Sequence, residues 1–236
     1  MNYYISLPII ISLYVLGLIL LRFFKNKTIT NIIFCFFTVS LYISNVVIAY
    51  IKNGPYDWNF TNTLPTANVS PFMFILCPLA VILPKKARWV FQTLISLLSI
   101  GMFFAAILSI IYNGIRDYTF HLSLYFDYLA HLALSLWGSY FVISKQIDLS
   151  PKKAFISGSI IVIVAFIMLI INCIFKTSYF GLALDEKYNI YNAKIVNNAY
   201  LSAFIYFNGL VLTMVIGYFY QRLIHYLFCK ENFIKP

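Results

Sequence analysis

Residues 154–175 read AFISGSIIVIVAFIMLIINCIF, 22 positions without one charged side chain. At a rise of about 1.5 Å per residue, a helix of that length spans about 33 Å, enough to cross a hydrocarbon core of about 30 Å. Working outward, comparable apolar stretches recur at about 4–21, 29–51, 65–84, 89–112, 123–144 and 199–221. Seven such stretches predict an all-α, polytopic transmembrane helical bundle with seven spans, a single transmembrane domain over residues 1–236. The third stretch is interrupted by Pro71 and Pro78. A proline inside a membrane helix removes an N–H, frees a carbonyl and bends the chain.

The basic residues orient the bundle. With the N-terminus outside, the inner side carries Arg22, Lys25, Lys27, Lys85, Lys86, Arg88, Lys145, Lys152, Lys153, Arg222, Lys230 and Lys235. The outer side carries Lys52, Arg116, Lys176, Lys187 and Lys194. Twelve against five accounts for all 17 basic residues, and the positive-inside rule places the N-terminus outside and the C-terminus inside.

Composition agrees with that class. Hydrophobic residues make up 62% and charged residues 10%, well below the roughly 25% charge of soluble domains. The net charge of +10 flanks apolar spans, so anionic lipid headgroups rather than nucleic acid are its natural counter-charge. The start, Met1-Asn2-Tyr3-Tyr4, lacks a basic leader region, and the first helix reads as retained. Cys35, Cys77, Cys173 and Cys229 have no paired spacing, so no disulfide framework, metal site or cofactor is expected. The chain is rich in Ile, Lys, Asn, Phe and Tyr and resembles proteins encoded by AT-rich bacterial genomes. The glycosylation sequon Asn59-Phe60-Thr61 therefore carries no weight.

Polar side chains inside membrane spans are costly and mark function. Asp127, His131 and Ser135 follow one another at i, i+4 and i+8 in the fifth span, along one helix face. The Asp127 carboxylate can accept a hydrogen bond from one imidazole nitrogen of His131 and leave the other as base or donor. Gly138 continues this face and allows close packing. Asp127 is expected about 6 Å inside the outer surface and His131 about 12 Å. Asn68 and Ser70 in the third span, Asn45 in the second, Asn172 in the sixth and Asn208 in the seventh reach similar depth. They predict a polar cavity open to the outer side, with Asn45, Asn68, Asn208 and Ser135 as substrate-binding groups. Equally, Asn and Ser in membranes hydrogen-bond helices to one another. The long outer loop after the sixth span, rich in Tyr and Asn, reads as a lid or a simple interfacial loop.

Two motifs carry a resemblance. Leu64-Pro65-Thr66-Ala67-Asn68-Val69-Ser70-Pro71 opens the third span, and Asp127-Tyr128-Leu129-Ala130-His131-Leu132-Ala133-Leu134-Ser135-Leu136-Trp137-Gly138 lies in the fifth. With seven spans in 236 residues, the chain resembles the YwaF-like bacterial integral membrane proteins. That group is similar to eukaryotic seven-helix lipid acyltransferases and, more loosely, to androgen-induced membrane hydrolases of fatty-acid esters. The resemblance implies an intramembrane nucleophile paired with a histidine on another helix. The histidine carries over onto His131. No Cys follows the Leu-Pro motif; Thr66 and Ser70 are the nearest hydroxyls, with Cys77 about two turns deeper.

Three functions follow as expectations. In a lipid acyltransferase or ester hydrolase, His131 is the general base, Asp127 its orienter, Ser70 or Thr66 the nucleophile, and Asn68 an oxyanion donor. A small-solute carrier or ligand-binding membrane protein would use the same polar ring, with Asp127 and His131 as a titrating site. A structural subunit would use the polar residues only to pack helices. Membrane lipids are the expected partner, in the cell membrane, and the oligomeric state is left open.

Overall fold

The computed structural model describes residues 3–54, 64, 69–115, 122–175 and 199–229, and among these every regular element is helical. In chain order they are α1 (Tyr3–Leu20) with a 3₁₀ turn (Leu21–Phe23), α2 (Lys27–Asn53), α3 (Val69–Leu76), α4 (Leu79–Ile82), α5 (Lys85–Ile115), α6 (Leu122–Ile143), α7 (Pro151–Phe175) and α8 (Ala199–Cys229). Each apolar stretch of the sequence thus contains helix over its described residues. The third is split, as its prolines foretold. Pro71 sits in the first turn of α3, where a missing N–H costs nothing, whereas Pro78 separates α3 from α4. On the far side of the break the Ala80 carbonyl accepts from Gln92 Nε2 at 3.1 Å.

Among the described residues, four helices are long and apolar enough to cross a membrane by length and composition: Lys27–Lys52, Lys85–Leu108, Pro151–Phe175 and Ala203–Cys229. Their burial differs. The apolar window of α5 is 67% buried, against 22–28% in the other three. α5 is the central post, and α6 packs beside it and against α2. α8, α7 and α1 also lean on α5.

The outer surface is far more apolar than that of a soluble protein, around an interior that is itself largely apolar. On α2 the large apolar side chains Ile33, Phe36 and Ile51 are exposed, while Thr30, Asn31, Thr38 and Asn45 are buried. Asn31, Thr38 and Asn45 recur every seven residues and form one inward stripe. On α7, Phe155 is 77% exposed and Ser157 fully buried. So large an apolar outer surface is not sustained in water; this is the pattern of a membrane protein.

Small residues let the helices meet backbone to backbone. A Cβ on Gly138 of α6 would lie 2.7 Å from the Ile95 carbonyl oxygen and 2.8 Å from Ser99 Cβ of α5. A Cβ on Gly217 of α8 would overlap the Leu97 carbonyl, and one on Gly101 would meet Thr213. Without a hydrophobic drive between helices in lipid, such close contact and interhelical hydrogen bonds hold a bundle. Ser96 Oγ donates to the Gly138 carbonyl at 2.7 Å, and Gln221 Nε2 donates to Ser99 Oγ at 2.6 Å and to the Ser96 carbonyl at 3.0 Å.

The far end of α6 is locked to α2. Lys145 adopts φ 54°, with Gln146 N–H donating to the Phe141 carbonyl and Lys145 N–H to the Val142 carbonyl. These two bonds are a Schellman close. The turn presents Gln146 Oε1 to Asn31 Nδ2 at 2.6 Å, while Trp137 Nε1 donates to Asn31 Oδ1 at 3.1 Å.

Candidate functional site

At the opposite end of the α2–α6 pair, Asn45, Asp127 and His131 come together. α2 and α6 pack along their length, so the C-terminal half of one meets the N-terminal half of the other. Asn45, the last member of the buried stripe on α2, donates from Nδ2 to Asp127 Oδ1 at 3.3 Å. One turn further along α6, His131 Nδ1 lies 2.8 Å from the backbone carbonyl oxygen of Asp127 and 3.6 Å from its carboxylate oxygen.

That geometry corrects the expected pairing. The ring is oriented by the Asp127 backbone, not by its carboxylate, because on an α-helix the carbonyl four residues back is the acceptor nearest a returning side chain. At 3.6 Å the carboxylate makes a close electrostatic contact rather than a hydrogen bond. The consequence for the tautomer is the same. A carbonyl oxygen only accepts, so Nδ1 must carry a proton, and in the neutral ring Nε2 keeps its lone pair.

The surroundings are layered. Phe74 of α3 meets the His131 ring edge-on, with centroids 5.4 Å apart and planes at 88°, and stacks on Tyr42 of α2 at 5.0 Å. Tyr42, Phe74 and His131 form one layer. A turn nearer the bundle end, Asn45 and Asp127 form the next, and Ser70 shares the face of Phe74 at i−4. Ser70 is half-buried, His131 is 6% exposed, and the Asp127 side chain is 30% exposed. The carboxylate is therefore the open edge of the group and the imidazole its floor.

The remaining candidates separate. Ser135 is fully buried and points away into a hydroxyl string, donating to Tyr14 OH at 3.0 Å, which meets Tyr220 OH at 2.5 Å. Asn208 is exposed, and its Nδ2 donates to the Phe204 carbonyl of its own helix at 2.8 Å. It does not join a ring around Asp127, because α8 turns that face outward. Asn172 is buried. Thr66 and Asn68, and the lid expected over residues 176–198, lie outside the described residues. An open groove of about 580 Å³ runs between α7 and α8, lined by Val162, Phe166, Ala203, Phe204 and Phe207 among others. It is apolar and contains none of the Asp127 group, so it is not the polar cavity expected from the sequence. Among the described residues no three His, Cys, Asp or Glu side chains cluster to hold a metal ion.

Sequence reasoning missed Tyr14, Tyr220 and Gln221 as interior polar groups. Asn45, expected from the sequence as a substrate contact, donates to Asp127 Oδ1, a partnership the sequence did not indicate. The heptad stripe Asn31, Thr38, Asn45 on an otherwise apolar helix was the available signal for an α2 face turned toward polar partners.

Compared with known proteins, the chain matches no family model, no curated protein and no solved structure.

Proposed function

We propose that the chain is a seven-span protein of the cell membrane, N-terminus outside and C-terminus inside, whose Asn45–Asp127–His131 group acts on acyl esters of membrane lipids as a hydrolase or acyltransferase. The observation that carries this reading is the 2.8 Å approach of His131 Nδ1 to the Asp127 carbonyl oxygen: it calls for a proton on Nδ1 and leaves Nε2 as a base. Ser70, on the face of α3 that meets His131 through Phe74, is the hydroxyl favoured as nucleophile; Thr66, in the same Leu-Pro motif, is the alternative. Its Oγ would attack the ester carbonyl as its proton passes to Nε2, and the same proton would leave with the departing alkoxide. Water or a second hydroxyl would then take the acyl group from the serine. The basic asymmetry of twelve inner against five outer residues supports the orientation; in that orientation Asp127 would lie near acyl carbonyls of the outer leaflet. The YwaF-like motifs support the choice of reaction.

One observation favours a second reading, a small-solute carrier or ligand-binding protein. The string Ser135, Tyr14 and half-buried Tyr220 continues polar groups beneath His131 toward the bundle centre, where a purely catalytic site needs none.

Lipid analysis of membranes expressing wild type or His131→Ala, matched for protein, separates the two. The hydrolase or acyltransferase reading expects wild type alone to change the acyl composition of a lipid class. Identical profiles in wild type, variant and empty-vector membranes would overturn it in favour of solute binding.

A further inference from the structure

A second charged feature lies at the inner end of the bundle and plays no part in the Asp127 group. The tetrad Pro84-Lys85-Lys86-Ala87 is repeated as Pro151-Lys152-Lys153-Ala154. The first copy opens α5 and the second opens α7. The fold brings the two turns side by side: Lys153 Nζ lies 5.8 Å from the ring centroid of Trp89, the residue that follows Arg88 in the first turns of α5. Lys85, Lys86 and Lys152 are exposed, and Arg88 and Lys153 are half-buried.

This arrangement is electrostatically unmet. Neither helix has an acidic residue in its first turn, so the lysines stand at the positive ends of both helix dipoles, where cations are disfavoured. Asp148 reaches Lys153 at 3.2 Å and is the acid seen to pair in this patch. Among the described residues, five cationic side chains less one carboxylate leave a net charge of four. Trp89 sits among them at half-burial, the position of an interfacial aromatic. Basic pockets between membrane helices on the inner side are suited to lipid phosphates.

We propose that the paired Pro-Lys-Lys-Ala turns form a binding site for an anionic phospholipid headgroup, with Lys85, Lys86, Lys152 and Lys153 around the phosphate and Trp89 at the acyl boundary. The site rests on the membrane placement given above and not on the acyl-ester chemistry.

The test uses the full chain in dodecylmaltoside micelles doped with phosphatidylglycerol or phosphatidylcholine, reading the thermal midpoint. Phosphatidylglycerol is expected to raise the wild-type midpoint by about 3–6 °C over phosphatidylcholine, comparable to one or two kcal/mol in a chain of this size, and the gain should shrink in high salt. The fourfold variant Lys85→Gln, Lys86→Gln, Lys152→Gln, Lys153→Gln should lose the gain. A control variant, Lys25→Gln, Lys27→Gln, Arg222→Gln, should keep it, as should His131→Ala, whose behaviour separates this site from the acyl-ester reading. Equal shifts with the two lipids, a shift retained by the fourfold variant, or a shift lost equally in the control would overturn the site. So would an equal gain from sodium phosphate alone, which would assign it to a free anion.

Discussion

Two polar regions share the interior of this bundle, and they are built differently. The middle one, between α5, α6, α8 and α1, is neutral: Ser96, Ser99, Ser135, Gln221, Tyr14 and Tyr220. Its donors end on backbone carbonyls or on each other's hydroxyls, and it coincides with the close approaches of Gly138 and Gly217 to the α5 backbone. The other, where α2, α3 and α6 meet around Asp127, is ionisable and, among the described residues, incomplete. Asp127 is part-exposed, and the Nε2 of His131 is left over once Nδ1 has been used. Neutral polar groups that bond across helices hold them together, even though Gln221 Oε1 is left without a partner among the described residues; ionisable groups with an open edge are positioned to meet something else. Both regions look alike in the sequence, as isolated Ser, Asn, Gln or His in apolar runs, and only the pairing tells them apart.

The comparison can be broken first at its tightest point. Gly217→Val puts side-chain carbon into the Leu97 carbonyl, a backbone group that cannot swing aside. A cost of about 3 kcal/mol or more is expected, the upper end of overpacking, seen as loss of monodisperse protein on gel filtration in detergent. Next, Gln221→Leu removes two interhelical hydrogen bonds. At roughly 0.6 kcal/mol each in membranes, the thermal midpoint should fall by about 2–5 °C, while any lipid activity in folded protein stays intact. Asp127→Asn should show the opposite pairing of effects. The amide oxygen can still accept from Asn45, so stability should change by less than about 0.5 kcal/mol. Activity on acyl esters should nevertheless fall about tenfold, less than the roughly 10²-fold or greater loss expected from His131→Ala, because the backbone and not the carboxylate orients the ring. The smallest effect is at Lys145, whose φ of 54° suits glycine. Lys145→Gly should stabilise by about 0.5 kcal/mol, detectable as a rise in midpoint of about 1–2 °C and without consequence for the Asp127 group.

What could be read from the sequence divides along the same line. Periodicity and length are local, so the helical stretches and the break at Pro78 were legible, as was the sharing of one α6 face by Asp127, His131 and Ser135. Hydropathy alone is a poorer guide to α6, which is diluted by Asp127, His131, Ser135 and Ser139. Its place between α5 and α2 shields it from lipid, and that shielding is a property of the fold. Partnerships across the bundle were not legible. Asn45 and Asp127 are 82 residues apart, and Tyr14 and Tyr220 are 206 apart. Nor could spacing decide between two acceptors on the same residue, the carboxylate and the carbonyl of Asp127, since both lie one helical turn from His131. Asn208 illustrates the converse. Its depth was inferred from its position in the run, but depth along a helix says nothing about rotation, and the structure turns it outward onto the Phe204 carbonyl.

The most direct test of the account is the protonation site of the His131 ring in the folded protein. With three histidines in the chain, ¹⁵N-histidine labelling and comparison with His131→Ala identify its signals by solid-state NMR in lipid. The account predicts that the neutral ring is protonated at Nδ1 and bare at Nε2. A neutral ring protonated at Nε2 would contradict it, because the Asp127 carbonyl would then lack its donor and the proposed base would already hold the proton it is meant to take.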